Sequence, residues 1–157
     1  MTFVTGRPTS HVYVGALVAS AGLLGCGGNS ETVQIHAEIE SGDPFAVGVF
    51  TADGAGFCPT GIALPSRVEP VEGTDGRQSF AQVQYECDDD SGIFFIETIL
   101  DLPFDSVNDP PEGAVGSGVA GSLKPGLDDY AETSGSGEVT VEIDRGFYVF
   151  DGVFSID

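Results

Sequence analysis

The chain is 157 residues long, a length that fits one domain, and it sets 25 Asp+Glu against 5 Lys+Arg for a formal net charge of −20. A field of that sign repels phosphate backbones and anionic headgroups, so nucleic acid is excluded as a partner and any membrane attachment must be hydrophobic or covalent. Disorder is excluded as well, because 41% of the residues are hydrophobic and polar and apolar positions alternate regularly.

The charge is unevenly placed. Residues 1–25 hold no acid and a single Lys or Arg, Arg7, so the rest of the chain sets only Arg67, Arg77, Lys124 and Arg145 against all 25 acids. Arg7 precedes an apolar run from Val12 to Leu24. That run is too short for a stable bilayer-spanning helix and has the length of a signal-sequence core. It ends in Leu23-Leu24-Gly25-Cys26, which resembles the bacterial lipobox. There a small residue lets the peptidase reach the backbone, and the cysteine sulfur accepts a diacylglyceryl group. The expected organisation is therefore a lipoprotein signal peptide over 1–25, lipidation at Cys26 and a flexible tether over 26–31 containing Gly27, Gly28, Asn29 and Ser30. Two acyl chains on one cysteine give stable anchoring where a single chain does not. The expected location is the cell envelope, with the membrane as partner through the lipid anchor on its extracytoplasmic face.

From residue 32 onward the period is two. Val33, Ile35, Ala37 and Ile39 alternate with Gln34, His36, Glu38 and Glu40; Ala81, Val83, Tyr85 and Cys87 alternate with Gln82, Gln84 and Glu86. Phe94, Ile96, Thr98, Leu100 and Leu102 alternate with Phe95, Glu97, Ile99 and Asp101, and Val139, Val141 and Ile143 with Glu138, Thr140 and Glu142. This is the pattern of half-buried strands. Turn clusters such as Ser41-Gly42-Asp43-Pro44, Asp88-Asp89-Asp90-Ser91-Gly92 and Asp144-Arg145-Gly146 separate them at meander spacing. Eight strands are expected, near 32–41, 45–52, 61–71, 78–88, 92–102, 114–121, 136–143 and 146–155. The predicted fold class is all-β: an acidic antiparallel barrel over 32–157, which removes exposed edges, with a β-sandwich as the alternative. The polar segment Asp105–Gly113 is a loop that would rim an opening.

Setting Cys26 aside leaves Cys58 and Cys87, and an even pair in an exported chain reads as a disulfide. It would join the connection between the second and third strands to the end of the fourth.

Certain pieces carry a resemblance. They are Gly48-Val49-Phe50-Thr51-Ala52-Asp53-Gly54-Ala55-Gly56-Phe57-Cys58-Pro59-Thr60-Gly61, Tyr85-Glu86-Cys87-Asp88-Asp89-Asp90-Ser91-Gly92-Ile93-Phe94, Gly126-Leu127-Asp128-Asp129-Tyr130 and Gly135-Ser136-Gly137. Together they resemble a group of exported bacterial and archaeal proteins that looks like the allene oxide cyclase and dirigent barrel superfamily. The resemblance spans about residues 45–155. It implies an eight-stranded antiparallel barrel and, as one functional alternative, an isomerase or cyclase acting on an apolar substrate. No motif carries cyclase active-site residues over to this chain.

For chemistry, Asp88, Asp89 and Asp90 form a candidate hard-cation loop, since Ca²⁺ favours several carboxylate oxygens. They lack the alternate-residue spacing and closing Glu of an EF-hand, and a solvated acidic turn is the competing reading. His36 has no evident triad partner in sequence, Gly116-Ser117-Gly118 and Gly135-Ser136-Gly137 lack the flanks of a nucleophile elbow, and no phosphate or dinucleotide motif is present. The sequence calls for no catalytic residue, metal or cofactor. Phe94, Phe95, Phe147, Tyr148, Phe150 and Phe154 crowd the central and late strands. They would either fill the barrel or line a pocket for a small apolar ligand. The expected function is a membrane-anchored, non-enzymatic binding or surface module, with a pocketless structural lipoprotein as a further alternative. Oligomeric state is left open.

Overall fold

The computed structural model describes residues 31–40, 46–54, 56–103 and 113–157. The expected signal peptide, Cys26, most of the tether and most of the Asp105–Gly113 loop lie outside the described residues.

Among the described residues alternation of period two becomes eight strands: β1 (Thr32–Glu40), β2 (Gly48–Asp53), β3 (Thr60–Pro70), β4 (Ser79–Cys87), β5 (Gly92–Leu100), β6 (Val115–Asp128), β7 (Gly135–Asp144) and β8 (Phe147–Ile156). Each pairs antiparallel with the next, and β1 pairs with β8 from Thr32↔Ser155 to Glu40↔Phe147, so the sheet closes into a barrel. Closure pairs the edges a sandwich would expose. The inward sets are mainly apolar: Val33, Ile35, Ala37 and Ile39 on β1, and Phe94, Ile96 and Leu100 on β5, are buried, with Thr98 on β5 and Ser79 on β4 the buried polar side chains among the described residues.

The strand that departs most from expectation is β6, which continues to Asp128 instead of stopping near Gly121. Pro125 looks like a strand breaker because it has no N–H for the ladder. The register against β5 steps from Phe95↔Lys124 to Ile93↔Leu127, so Pro125 and Gly126 share a bulge opposite Phe94. The bulge frees Pro125 from the ladder, and the Gly126 N–H turns instead to the Tyr130 carbonyl at 2.9 Å. A Cβ at Gly126 would collide with the Ile93 carbonyl, which explains the glycine there. The β7–β8 hairpin turns on Arg145 and Gly146, both at positive φ (50° and 81°), the backbone of a tight I′ turn.

The barrel has two unlike ends. At one end lie the β2–β3, β4–β5 and β6–β7 connections, together with the start of β1. At the other lie the β1–β2, β3–β4 and β5–β6 connections and the β7–β8 hairpin. They are called the sealed end and the loop end below.

Candidate functional site

At the sealed end Cys58 and Cys87 are joined, with a Cα–Cα distance of 5.9 Å. The bridge runs from the β2–β3 connection to the end of β4, where alternation turns Cys87 inward with Val83 and Tyr85. A third residue completes this closure. Tyr130, in the β6–β7 connection, is buried and accepts a hydrogen bond from the Cys58 N–H at 2.8 Å. Its hydroxyl also lies 3.5 Å from Cys87 Sγ and 3.4 Å from Ser91 Oγ, either of which can accept its proton. The three connections at this end thus meet on one phenol. Sequence reading found the disulfide but gave Tyr130 no role; its spacing within Gly126–Tyr130 does not indicate which backbone N–H it reaches.

Inward from this closure the rings form a continuous stack. Tyr130 and Phe57 both touch Phe94, with ring centroids at 5.2 Å, and Phe94 stacks on Tyr85 at 5.0 Å and 3° from parallel. Phe50 meets Tyr85 and Phe94 edge-on at 5.1 and 5.6 Å, and Phe150 lies 6.2 Å from Tyr85. Edge and offset contacts of this kind each add about 0.5–1.5 kcal/mol beyond burial. Glycines make the space. A Cβ at Gly121, Gly137 or Gly152 would press on the Phe154 ring, and one at Gly61 on Phe50. In this part of the barrel the interior is filled.

Within that stack Tyr85 is fully buried, and its hydroxyl has no hydrogen-bond partner. Burial in this apolar setting pushes its ionisation far above the ordinary tyrosine range. An unpaired buried hydroxyl costs about 1–3 kcal/mol.

The acidic turn next to the bridge does not gather its carboxylates. Asp88 accepts from Thr60 Oγ1 at 2.9 Å, and Asp89 accepts from the Ser91 N–H at 3.0 Å. Hydrogen bonding to Ser91, first from its side chain, lowers the Asp89 pKa. Asp90 supplies a positive φ of 61°. Ligand atoms of Asp89, Cys58 and Cys87 lie within 4.8 Å of one another, but the two sulfurs are bonded together and offer no thiolate.

The outer wall made by β2, β1, β8 and β7 carries a shallow depression of about 390 Å³ lined by Gln34, His36, Thr51, Asp53, Thr140 and Asp151 among others. Register lines up Thr51, His36, Asp151 and Thr140 in one row across the four strands. His36 Nδ1 is 2.8 Å from Asp151 Oδ1, and Nε2 faces Glu38 at 3.7 Å. A nucleophilic triad would need a hydroxyl on Nε2; among the described residues none bonds it. Both partners are well exposed, so the pair is worth under about 1 kcal/mol. Asp151 is the partner that sequence reading could not give His36. The two are 115 residues apart and meet only because the barrel closes.

No known protein family, curated protein or solved structure matches the chain.

Proposed function

We propose that the protein is an extracytoplasmic lipoprotein whose acidic barrel acts as a non-enzymatic surface module, tethered to a membrane through Cys26. The observation that carries this reading is the closure of one barrel end by the Cys58–Cys87 bridge and Tyr130. Such a bridge belongs to an oxidising compartment, which is where the apolar run and Cys26 would deliver the chain. The tether would enter β1 at this same sealed end. Six residues reach at most about 20 Å, so the sealed end faces the membrane and the loop end is displayed away from it. Kinship with the allene oxide cyclase and dirigent barrels belongs to the same proposal, supported by the closed eight-strand topology. A ring-filled interior favours display over turnover of an apolar substrate.

A second reading, a small apolar ligand held inside the barrel, is favoured by one observation: the unpaired Tyr85 hydroxyl, which a carbonyl or hydroxyl group on a ligand would satisfy.

Cys26→Ser tests the first reading. The unsubstituted chain is expected to be retained on membranes and labelled by a fatty-acid analogue, and the variant to lose both. Equal labelling of the two would overturn it.

A further inference from the structure

The acidity of this molecule is not spread evenly round the barrel. Strands β7, β8, β1 and β2 contain no Lys or Arg, and their outward positions set Glu38, Glu40, Glu138, Glu142, Asp144 and Asp151 among the exposed Val49, Phe147 and Val153. The opposite wall, β3 to β6, is different. Its outward rows run Ile62–Glu86–Ile93–Leu127, then Leu64–Gln84–Phe95–Lys124, then Arg67–Gln82–Glu97–Ser122, and last Glu69–Phe80–Ile99. Six large apolar side chains, Ile62, Leu64, Phe80, Ile93, Phe95 and Ile99, face away from the core on this wall and are half-buried, and Leu127 beside them is 56% exposed.

Six of the polar groups on this wall are already paired with one another. Ser66 donates to Gln82 at 2.9 Å, Gln82 donates to Glu97 at 2.9 Å, and Lys124 lies 3.4 Å from the same carboxylate. Arg67 pairs with Glu69 at 2.8 Å and sits over the Phe80 ring, 5.4 Å from its centroid. Covering such a belt leaves few groups to desolvate without a partner, and apolar, aromatic and Arg side chains are those enriched at protein interfaces.

We infer that this wall is the contact face for a second copy of the chain, packed wall to wall about a twofold axis. Charge decides the face. Two copies of a molecule with net charge −20 repel through most of their surface. On strands β3–β6 Arg67 and Lys124 offset half the charge of Glu69, Glu86, Glu97 and Asp128, whereas the seven acids of β7, β8, β1 and β2 have no Lys or Arg among them. Area is sufficient. Four strands about 4.8 Å apart and four outward rows give a footprint of about 500 Å² per copy, or about 1,000 Å² for two, the lower bound for a specific interface. A lipid surface fits less well, because both cations of the wall are engaged by carboxylates and offer little to phosphate headgroups.

The test is a photo-crosslinking residue placed at Gln84 in the full-length chain and activated in cells. Gln84 lies between Leu64 and Phe95, so the apolar rows stay intact. A crosslinked species of two chains is expected, and none from a probe at Thr140 on the acidic wall. Phe95→Glu should weaken self-association of the detergent-solubilised chain at least about tenfold. If that variant fails to fold, the Gln84 result stands by itself. Crosslinks from Gln84 to lipid, to a different protein or to nothing would overturn the inference, as would two-chain crosslinks from Thr140 alone.

Discussion

The two ends of the barrel solve one problem by different means. At the sealed end a covalent bridge, a buried phenol and a stack of rings hold three connections together. At the loop end the described side-chain bonds include local ones, Thr74 Oγ1 to the Val71 carbonyl at 2.7 Å, Arg77 Nε to the Thr74 carbonyl at 3.1 Å and Arg145 to Asp144 at 3.1 Å, and one buried long-range bond, Ser79 Oγ to the Leu102 carbonyl at 2.8 Å. Local stability follows from such differences, and segments held by few buried contacts open first. Among the described residues the sealed end is the one held by a covalent bridge, and under the proposed function it is the foot of the domain.

The largest expected effect breaks that foot. Reducing the Cys58–Cys87 bridge, which joins residues 29 apart, should lower stability by about 3–4 kcal/mol, read by denaturant unfolding with and without reductant. An equal midpoint in both conditions would mean that the bridge constrains nothing. Next comes Tyr130→Phe, which leaves the buried Cys58 N–H without its acceptor. The expected loss is about 1–3 kcal/mol, with faster proteolysis between Gly54 and Thr60 than at the loop end.

Tyr85→Phe sharpens the comparison from the other side, because it removes a hydroxyl that has no partner. Stability should rise by about 1 kcal/mol instead of falling. The variant also carries a pH signature. The folded state holds the Tyr85 phenol protonated well above the ordinary tyrosine pKa, whereas the unfolded chain ionises near about pH 10. Stability from this group is full below that pH and is lost as pH rises through it, so Tyr85→Phe should flatten the alkaline loss. Burial raises the half-buried Tyr148 in the same direction, leaving a smaller residual slope. The smallest effect concerns charge as a whole. Molar NaCl screens the self-repulsion of this acidic surface and should raise the melting temperature, by about 4 °C for each kcal/mol recovered.

Much of the fold was legible because alternation is a local signal. Phe94 to Leu102 reads as one inward row in the sequence, and every member is buried. The bridge was legible from cysteine number and the expected compartment. What was not legible depends on closure. His36 gains Asp151 only when β1 meets β8, and the phenol of Tyr130 reaches Cys58 only when three loops converge. The end of β6 was misplaced for a third reason: Pro125 breaks a regular ladder, but a bulge opposite Phe94 accommodates it. The apolar outer rows of β3 to β6 were visible as residues, yet their wall exists only once four registers are known.

The central claim is a disulfide-sealed barrel tethered at its sealed end, and one measurement reaches both halves of it: the intact mass of the protein purified from membranes without reductant. The expected mass is that of a chain beginning at Cys26, carrying acyl groups on that residue and lacking the two hydrogens that closing the Cys58–Cys87 bridge removes. A mass that retains residues 1–25, leaves Cys26 unmodified or includes both thiol hydrogens would contradict the account.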